Sequence, residues 1–540
     1  MSVEFVSYFD YVQYPPVLPQ LQQGLDTTRH PVTIVGGGPI GFALALGLAR
    51  YGIRSVILEA DSSVCVGSRA GCVTSRTLEI FEQLGVAASV MRQGLPWSEG
   101  WSYFRDAQIL KLEIPQDPLA AYPRLVNIQQ CYVEQFLLDE ISKSPDLIDV
   151  RWQSSVAGVR STEDTVELDV QTPIGNYRLR SDWVVAADGA HSIVRKSIGA
   201  RFVGTRYDGS YVIVDIKMAS KLKEGRRAWF DPPSNPGATL LMHKHRDDLW
   251  RFDYQLREDE DPEEAIRPEN VLARVRSHLE FIGEAADWKP VWISMYKASC
   301  LTLEQYRYGR VLLAGDAAHL VPIFGVRGMN SGIDDTHNLA WKLAFVIKAL
   351  AGPKLLDSYS AERVFATREN MRHASKSAEF MAPPTRAFAL MRQAALGLAV
   401  KHSWVRSLVD PRQSTAIGFP RSPLNVYSQE SEFERGPAPG ENLPDLALPG
   451  NRHLSSALGP HFTAIVFDDP SASKREVPAI SAPIKLLSIA NTDEASHRFD
   501  AKPGTTYLVR PDGHLLARWR SFNPSAITTA VTTCCNGGLT

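Results

Sequence analysis

The chain of 540 residues is long enough for roughly three or four domains with cores of their own. Its 44% hydrophobic and 22% charged residues match ordinary globular proteins, which excludes a mainly disordered or fibrous chain. Lysine and arginine total 58 against 60 aspartate and glutamate, a formal charge of −2, and this balance argues against a dedicated nucleic-acid-binding protein.

The cysteines and apolar segments indicate where the protein works. The six cysteines form no Cys-x-x-Cys pair and no cluster with zinc-ligand spacing, which favours a reducing compartment and predicts no metal site. Residues 1–30 show no secretory signal, and the apolar stretches 40–49 and 387–400 are too short or too interrupted to cross a bilayer. We therefore expect a cytoplasmic protein with no membrane partner and no nucleic-acid partner.

The first predicted elements form a βαβ unit. Residues 32–35 are a β-branched run that ends in glycines, residues 39–51 are compatible with a helix, and residues 55–58 form a second apolar run. This order predicts a parallel sheet that is buried on both faces.

Two later strands are predicted to end in acidic turns. The apolar runs 183–187 and 310–314 stop at Asp188-Gly189 and at Gly315-Asp316. Ligand-binding residues of an open α/β sheet lie at the carboxyl ends of its strands, so both turns are candidates for a ligand site.

The remaining elements predict an inserted sheet, a helical region and a separate C-terminal module. Alternating aromatic and polar residues at 250–255 indicate a mostly antiparallel sheet over about 205–299. Helical spacing follows over 331–350 and 361–409, and a Pro/Gly-rich linker at 435–440 precedes strand candidates at 461–467, 484–488 and 507–510. The expected division is an N-terminal extension (1–30), a discontinuous Rossmann-like domain (31–204 and 309–372), a substrate-binding sheet with a helical region (205–308 and 373–434) and a small α/β module (437–540).

The glycine turn after the first strand predicts a dinucleotide site. Gly36-Gly37-Gly38-Pro39-Ile40-Gly41 fits G-x-G-x-x-G between a strand and a helix, where a pyrophosphate can approach the free N–H groups of the helix. Glu59 closes the next strand and can accept hydrogen bonds from an adenosine ribose. The motif occurs once, which excludes disulfide reductases with two such folds. Asp316 favours FAD over NAD because its carboxylate can bind a ribityl chain.

A second glycine-rich segment precedes the long predicted helix. Residues 325–330 include Arg327, Gly328, Met329 and Asn330, and a helix N-terminus carries roughly half a positive charge. These N–H groups and Arg327 could stabilise negative charge on a reduced flavin.

The three motifs at 36–41, 188–189 and 315–316, in this order and spacing, resemble the FAD-dependent aromatic hydroxylases. These are single-component flavoprotein monooxygenases related to p-hydroxybenzoate and phenol hydroxylases, and the resemblance covers about residues 31–380. It implies that Arg69 lies at the FAD pyrophosphate and that Gln130 contacts FAD, with Gln129 as an alternative register. The complete set expected to bind FAD is Gly36, Gly38, Pro39, Ile40, Gly41, Glu59, Ala60, Arg69, Gln130, Asp188, Gly189, Gly315, Asp316, Gly328, Met329 and Asn330.

The resemblance also implies the reaction. NAD(P)H would reduce FAD, O2 would form a C4a-hydroperoxide, and one oxygen would pass to a phenolic ring whose ionisation makes it electron-rich. The expected partners are a small phenolic substrate and O2, and a homodimer is expected. Pro322 and Arg327 are predicted to lie beside the flavin ring, although relatives often carry paired prolines or a Gly-Gln-Gly run there.

The inserted sheet is expected to form the floor of the substrate pocket. The candidates are Tyr207, Tyr211, His243, Arg251, Asp253, Tyr254, Gln255, Pro322 and Ile323. Because side chains alternate along a strand, Arg251, Asp253 and Gln255 share one face while Trp250, Phe252 and Tyr254 share the other, and only one face can line a cavity. His243 and Tyr254 are the candidates for catalysis, in addition to Pro322 and Arg327.

Several alternatives stay open. The C-terminal module resembles the thioredoxin-like tail of longer family members without its redox cysteines, which predicts a structural or interfacial role. An epoxidase or halogenase of the same fold, or a binding protein of this fold without catalysis, remains an alternative to the hydroxylase. The aromatic substrate and the choice between NADH and NADPH cannot be inferred from these residues.

Overall fold

The computed structural model describes residues 4–257, 259–322, 325–408, 416–467 and 476–538. The first 200 residues supply most of one sheet and its helices. In chain order they form β1 (Leu21–Gln22), β2 (Leu25–Val35), α1 (Pro39–Ala49), β3 (Ser55–Leu58), β4 (Cys72–Thr74), α2 (Ser75–Gln83), α3 (Ala87–Gln93), β5 (Leu95–Pro96), β6 (Glu99–Phe104), β7 (Ala107–Glu113), β8 (Leu125–Asn127), α4 (Gln130–Ile141), β9 (Ile148–Arg151), β10 (Ser155–Ser161), β11 (Val166–Thr172), β12 (Gly175–Ala186) and α5 (Ile193–Ser197).

The rest of the chain adds a second sheet, long helices and a C-terminal unit. The second sheet region contains β13 (Val203–Met218), β14 (Arg226–Phe230), β15 (Thr239–Lys244), β16 (Leu249–Gln255), α6 (Pro262–Ala265), α7 (Pro268–Phe281), β17 (Trp288–Thr302), β18 (Arg307–Tyr308), β19 (Val311–Leu313) and β20 (His319–Leu320). There follow α8 (Gly328–Ile347), α9 (Leu355–Met381), α10 (Arg386–Lys401), β21 (Ala447–Leu448), β22 (Arg452–His453), α11 (Leu454–Ala457), β23 (Phe462–Phe467), β24 (Ile484–Ile489), α12 (Asp493–Phe499), β25 (Thr506–Val509), β26 (Leu515–Trp519) and α13 (Pro524–Cys535).

The first sheet contains the predicted βαβ unit. Its strands run in the order β10-β11-β12-β2-β3-β9, and β19 pairs with β12. The pairs β12–β19, β12–β2, β2–β3 and β3–β9 are parallel. Strand residues such as Ile34 and Ile57 are fully buried, as a sheet covered by helices on both faces requires. The predicted α/β class with a Rossmann-like domain is confirmed.

The second sheet is the predicted insertion. It runs in the order β20-β17-β13-β16-β15-β14-β6-β7, and its pairs are antiparallel except β14–β6. The structure places β6 and β7 in this sheet, whereas the sequence analysis assigned them to the Rossmann-like domain. The physical reason is that β14 has a free edge, and pairing with β6 satisfies its backbone N–H and C=O groups.

The two faces of the second sheet have different neighbours. One face, here called the α7 face, packs its apolar side chains on α7, with Phe252, Trp250 and Val214 against Val271 and Val275. The other, here called the crevice face, carries Asp215, Arg251 and Asp253, and its apolar end packs on α9 and α10 through Ala378 and Leu396.

Element boundaries differ from the expected domain boundaries. Strand β2 begins at Leu25, because residues 25–30 pair with β1 and β12, so the boundary at 30 falls inside a strand. The predicted helical region 361–409 is two helices, since Pro383-Pro384 follow α9 and cannot continue it, and Thr385 caps α10. Helix α9 crosses the expected boundary at 372.

The C-terminal unit contains the three predicted strands. Its sheet runs in the order β24-β23-β25-β26, with β23 and β24 parallel and the other pairs antiparallel. Cys534 and Cys535 are buried in α13. The thioredoxin-like assignment of this unit stays a prediction.

Candidate active site

Four predicted motifs meet at one edge of the first sheet. Gly36 follows β2, Glu59 follows β3, Asp188 lies two residues beyond β12, and Gly315 lies two residues beyond β19. Because the strands are parallel and adjacent in the order β19-β12-β2-β3, their carboxyl ends form one crevice. We call it the crevice below.

The glycine turn leaves the N-terminus of α1 open. Gly36 has φ +106°, and a Cβ there would overlap the carbonyl of Ala187, so only glycine fits. Gly38 precedes α1 without any side-chain cap, and a Cβ on it would meet only Glu134 Oε1, at 3.9 Å. Pro39 opens the helix, as its fixed φ allows. The N–H groups of the first turn can therefore bind an anion in the crevice.

Glu59 points its carboxylate at the glycine turn. It accepts hydrogen bonds from the N–H groups of Gly37 and, at 2.7 Å, Asp61. Burial raises the pKa of the Glu59 carboxyl. Ala60, the next residue, is exposed.

The turn after β12 holds a carboxylate with unused bonding capacity. Asp188 Oδ2 accepts from the N–H of Val194 at 3.1 Å, and within the described residues its buried Oδ1 has no hydrogen-bond partner. Burial raises the pKa of the Asp188 carboxyl. Arg195 donates to the carbonyls of Ala190 and Ala317, at 2.8 and 3.2 Å, and so joins this turn to the one after β19.

The turn after β19 is closely packed beneath the crevice. Gly315 has φ +58°, and a Cβ there would lie 2.9 Å from Ile40 Cγ1. Asp316 is an exposed residue, and desolvation by the surrounding protein, together with the charge of Asp335, raises the pKa of its carboxyl. The backbone N–H of Gly315 donates to Asp335 Oδ2 at 2.9 Å.

The start of α8 faces the same region. Arg327 precedes the helix, no side chain caps its first turn, and Gly328 and Met329 open it. Arg327 donates to Asn370 Oδ1 at 2.7 Å. The Asn330 side chain is used by the protein itself, because it accepts from Thr77 Oγ1 at 2.6 Å and donates to the Val326 carbonyl at 3.0 Å. Asn330 can therefore offer FAD its backbone only.

The loop at 67–72 connects the crevice to the second sheet. Ala70 donates its N–H to Gln130 Oε1 at 3.3 Å, and Gln130 donates to Glu134 Oε1 at 2.8 Å. Gln130, not Gln129, therefore contacts the loop of Arg69, whose own side chain is exposed. Sequence reasoning missed Glu134. Burial raises the pKa of the Glu134 carboxyl to about 7. Its four-residue spacing from Gln130 on one helix was the available signal.

The crevice face carries a buried polar cluster next to this loop. Arg251 donates to the Arg69 carbonyl at 2.7 Å and pairs with Asp215 at 3.1 Å. His243 Nε2 lies 3.5 Å from Asp253 Oδ2. Burial raises the pKa of Asp253 to about 6, the Arg251 charge opposing part of that rise. Burial, together with the charges of Arg226, His245 and Arg251, lowers the pKa of His243 well below its ordinary value.

The structure places His243 and Tyr254, the two residues of the second sheet proposed for catalysis, on opposite faces of that sheet. Tyr254 lies on the α7 face with Arg274 4.8 Å from its ring centroid, so it cannot share a cavity with His243. Tyr211 and Gln255 lie on the crevice face, and Tyr211 packs in the apolar end of that face. Ile323 and the side chain of Tyr207 lie outside the described residues.

Tyr296 is a site residue that sequence reasoning missed. It lies opposite Tyr211 on the crevice face and donates its hydroxyl to the Val321 carbonyl at 3.2 Å, next to Pro322. Burial raises the pKa of Tyr296, with the charge of Asp316 contributing. The alternation at 292–296 was the available signal.

These features fit FAD as the bound group. The open first turn of α1 suits a pyrophosphate, Glu59 and Asp316 offer carboxylates for the ribose and ribityl hydroxyls, and the unpartnered Oδ1 of Asp188 provides one more acceptor. A parallel sheet with this glycine turn and these acidic strand ends defines a dinucleotide-binding α/β protein. The family described as FAD binding domain matches residues 29–374, and the chain belongs to that family.

Similar proteins extend the comparison to the whole chain. A 3-(3-hydroxy-phenyl)propionate/3-hydroxycinnamic acid hydroxylase of Mycolicibacterium smegmatis is 29% identical over 361 residues, 67% of this chain but only 63% of that relative. A hydroxylase of the same name from Burkholderia cenocepacia is 29% identical over 537 residues, 93% of this chain and 96% of the relative. The crystal structure of the flavin-dependent monooxygenase PieE with FAD and substrate shares the fold, with a TM-score of 0.76 and 21% identity over 95% of this chain and 100% of that one. Within the described ranges, no helix is both long and apolar enough to cross a membrane.

Proposed function

We propose that this protein is an NAD(P)H- and O2-dependent FAD monooxygenase that hydroxylates a phenolic ring. The observation that carries the proposal is the position of the His243–Asp253 pair, half-buried His243 beside buried Asp253, on the crevice face of a sheet that contacts the Arg69 loop through Arg251. The hydroxylase names of the relatives that match two thirds or more of the chain support the same reaction.

FAD would be held by the residues around the crevice. The first turn of α1 would bind the pyrophosphate with Arg69, Glu59 would bind the adenosine ribose, and Asp316 would bind the ribityl chain. Bound and reduced by NAD(P)H, FAD would supply the two electrons that activate O2, of which one oxygen atom would go to the ring and the other to water. The N–H groups of Gly328 and Met329 would stabilise negative charge at the flavin edge.

His243 would accept the proton of the phenol, with Asp253 beside it. A neutral imidazole is the form that can accept a proton, and the lowered pKa keeps His243 neutral near pH 7. Asp253, 3.5 Å away, would stabilise the imidazolium that forms. Ionising the phenol makes its ring carbon electron-rich, which the oxygen transfer needs.

The test is oxygen transfer itself. Phenolic compounds are screened for faster NAD(P)H oxidation, and each product is examined by mass spectrometry for one added oxygen, with catalase and a peroxide assay to detect uncoupled turnover. We expect at least one phenol to gain oxygen in proportion to the NAD(P)H consumed. If no ring compound gains oxygen, the proposal is wrong.

Two further proposals concern the state of the protein in the cell. A cytoplasmic location is supported by the six cysteines, all described and all unpaired. The homodimer expected from the family resemblance is tested by light scattering of the purified holoenzyme, which should give twice the mass of the 59.8 kDa chain.

A further inference from the structure

The C-terminal unit contacts the FAD-binding part through buried charges. Arg510 pairs with Glu362 of α9 at 2.6 Å, and Glu362 pairs with Lys342 of α8 at 2.6 Å. Asp512 accepts from the Trp341 indole N–H at 3.0 Å and pairs with Arg510 at 2.5 Å. These ionic side chains have no solvent exposure. The unit is thus bound to the two long helices, α8 and α9.

The floor of the crevice is fastened to α8 and α9 by a second group of charges. Asp335 of α8 accepts from the Gly315 N–H at 2.9 Å and lies 2.7 Å from His319 Nε2. Arg363 of α9 donates to the other oxygen of Asp335 at 2.6 Å and to the Ser331 carbonyl at 3.1 Å. Gly315 is therefore held in its left-handed conformation, and the turn that carries Asp316 in its place, by a carboxylate that Arg363 orients.

Arg76 joins these two groups. It donates to the backbone carbonyl of Asp512 at 2.6 Å, and its Nε lies 3.4 Å from Asp334 Oδ1. Asp334 in turn pairs with Arg363 at 2.7 Å. A continuous chain of polar contacts thus leads from the C-terminal unit to the turn that carries Asp316; we call it the Asp512–Gly315 chain.

We propose that the C-terminal unit controls how firmly FAD is held, and that Arg76 and Arg363 are the positioning residues through which it acts on the Gly315–Asp316 turn. The inference rests on the FAD binding that the proposed function also requires. Removing Arg76 takes one cationic partner from Asp334, and the contacts that Arg363 divides between Asp334 and Asp335 would then rearrange. A small displacement of the Asp316 carboxylate then weakens its hold on a ribityl chain, since bound geometry tolerates little misplacement.

The experiment compares Arg76→Met with Lys342→Met in the full-length holoenzyme. Both remove a cation from the same domain interface, but Lys342 contacts Glu362 and Asn338 and has no place in the Asp512–Gly315 chain. FAD affinity is measured by flavin fluorescence titration, and unfolding temperature is measured on the same samples. We expect Arg76→Met to raise the FAD dissociation constant roughly tenfold, which corresponds to losing one hydrogen bond between the Asp316 carboxylate and the ribityl chain. We expect Lys342→Met to change the dissociation constant less than about twofold while lowering the unfolding temperature.

Two conservative variants separate positioning from folding. Arg76→Lys keeps the charge beside Asp334 and should restore most of the FAD affinity. If Arg76→Met does not fold, Arg363→Lys, which keeps the charge but loses the forked contact to Asp334 and Asp335, should raise the FAD dissociation constant by a similar factor. The inference is overturned if affinity is unchanged in the Arg76 and Arg363 variants, or if all variants lose affinity in proportion to their unfolding temperatures. A wild-type protein that binds FAD but hydroxylates no phenol would contradict the proposed function alone.

Discussion

The two faces of the second sheet come from the same strands but are built for different tasks. The α7 face is an apolar core in which Phe252 and Trp250 have no solvent exposure. The crevice face buries Asp215, Arg251 and Asp253, and in the described part of the chain Asp215 Oδ2 and Arg251 Nη2 have no hydrogen-bond partner. Unpartnered buried polar atoms are costly, and their presence here beside the FAD-binding loop is what we expect of a face that meets a ligand. We therefore expect changes on the α7 face to affect mainly stability and changes on the crevice face to affect mainly chemistry.

The largest expected effect is on the crevice face. His243→Ala should slow hydroxylation about 100-fold or more near pH 6.5, within the range of general acid–base catalysis, and much less near pH 10, where a phenol ionises without help. Product formation is followed across this pH range. Met242→Leu, the neighbouring residue on the α7 face, is the matched control. Equal slowing at every pH would remove His243 from proton transfer.

The corresponding change on the α7 face should affect stability. Phe252→Ala is expected to lower the free energy of unfolding by about 3–5 kcal/mol because it leaves a cavity beneath α7. The folded, FAD-loaded fraction should keep its turnover number. Urea unfolding and initial rates on the same preparation check both points, and a large fall in turnover would show that the faces are not independent.

Asp253→Asn should show how much the buried carboxylate on the crevice face lowers the free energy of unfolding. Burial raises the pKa of Asp253 from 3.8 to about 6, so the folded state binds a proton more tightly than the unfolded state, and stability falls as the pH rises between these values. The asparagine variant has no such cost and should exceed the wild type by about 3 kcal/mol above pH 6, with no gain below pH 4. Unfolding free energies from pH 4 to 8 measure this difference. Parallel curves for the two proteins would contradict the shift.

The smallest effect is expected at Tyr254. Tyr254→Phe retains the ring beneath Arg274 and should change stability by less than about 1 kcal/mol and hydroxylation by less than about twofold. Steady-state rates and thermal unfolding are sufficient to check it. A tenfold loss of hydroxylation would return Tyr254 to the list of catalytic residues and break the division between the faces.

Much of the crevice could be predicted from local sequence, and much of its support could not. The glycine turn at 36–41 and the acidic turns at 188–189 and 315–316 each follow a strand, so short segments of sequence are enough to predict what they bind. Glu134 and Tyr296 were missed because their local signals, a four-residue spacing from Gln130 and the alternation at 292–296, do not by themselves indicate a site, and their contacts with site loops form only in the fold. The hairpin of β6 and β7 lies within residues 31–204, which the sequence analysis gave to the Rossmann-like domain, and its pairing with β14 could not be inferred because that partner is over 110 residues away.

The sequence by itself determined the dinucleotide-binding class. A turn whose backbone conformation requires glycine and a carboxylate at the end of a strand each depend only on residues that are adjacent in the sequence. The sequence also determined by alternation that Tyr254 and Asp253 lie on opposite faces. Only the tertiary structure decided which face meets the crevice, because that depends on where α7 packs. The tertiary structure alone also decided that Asp512 is linked to Gly315. The charged residues between them are far apart in the sequence, so their pairing forms only on folding and no sequence spacing predicts it.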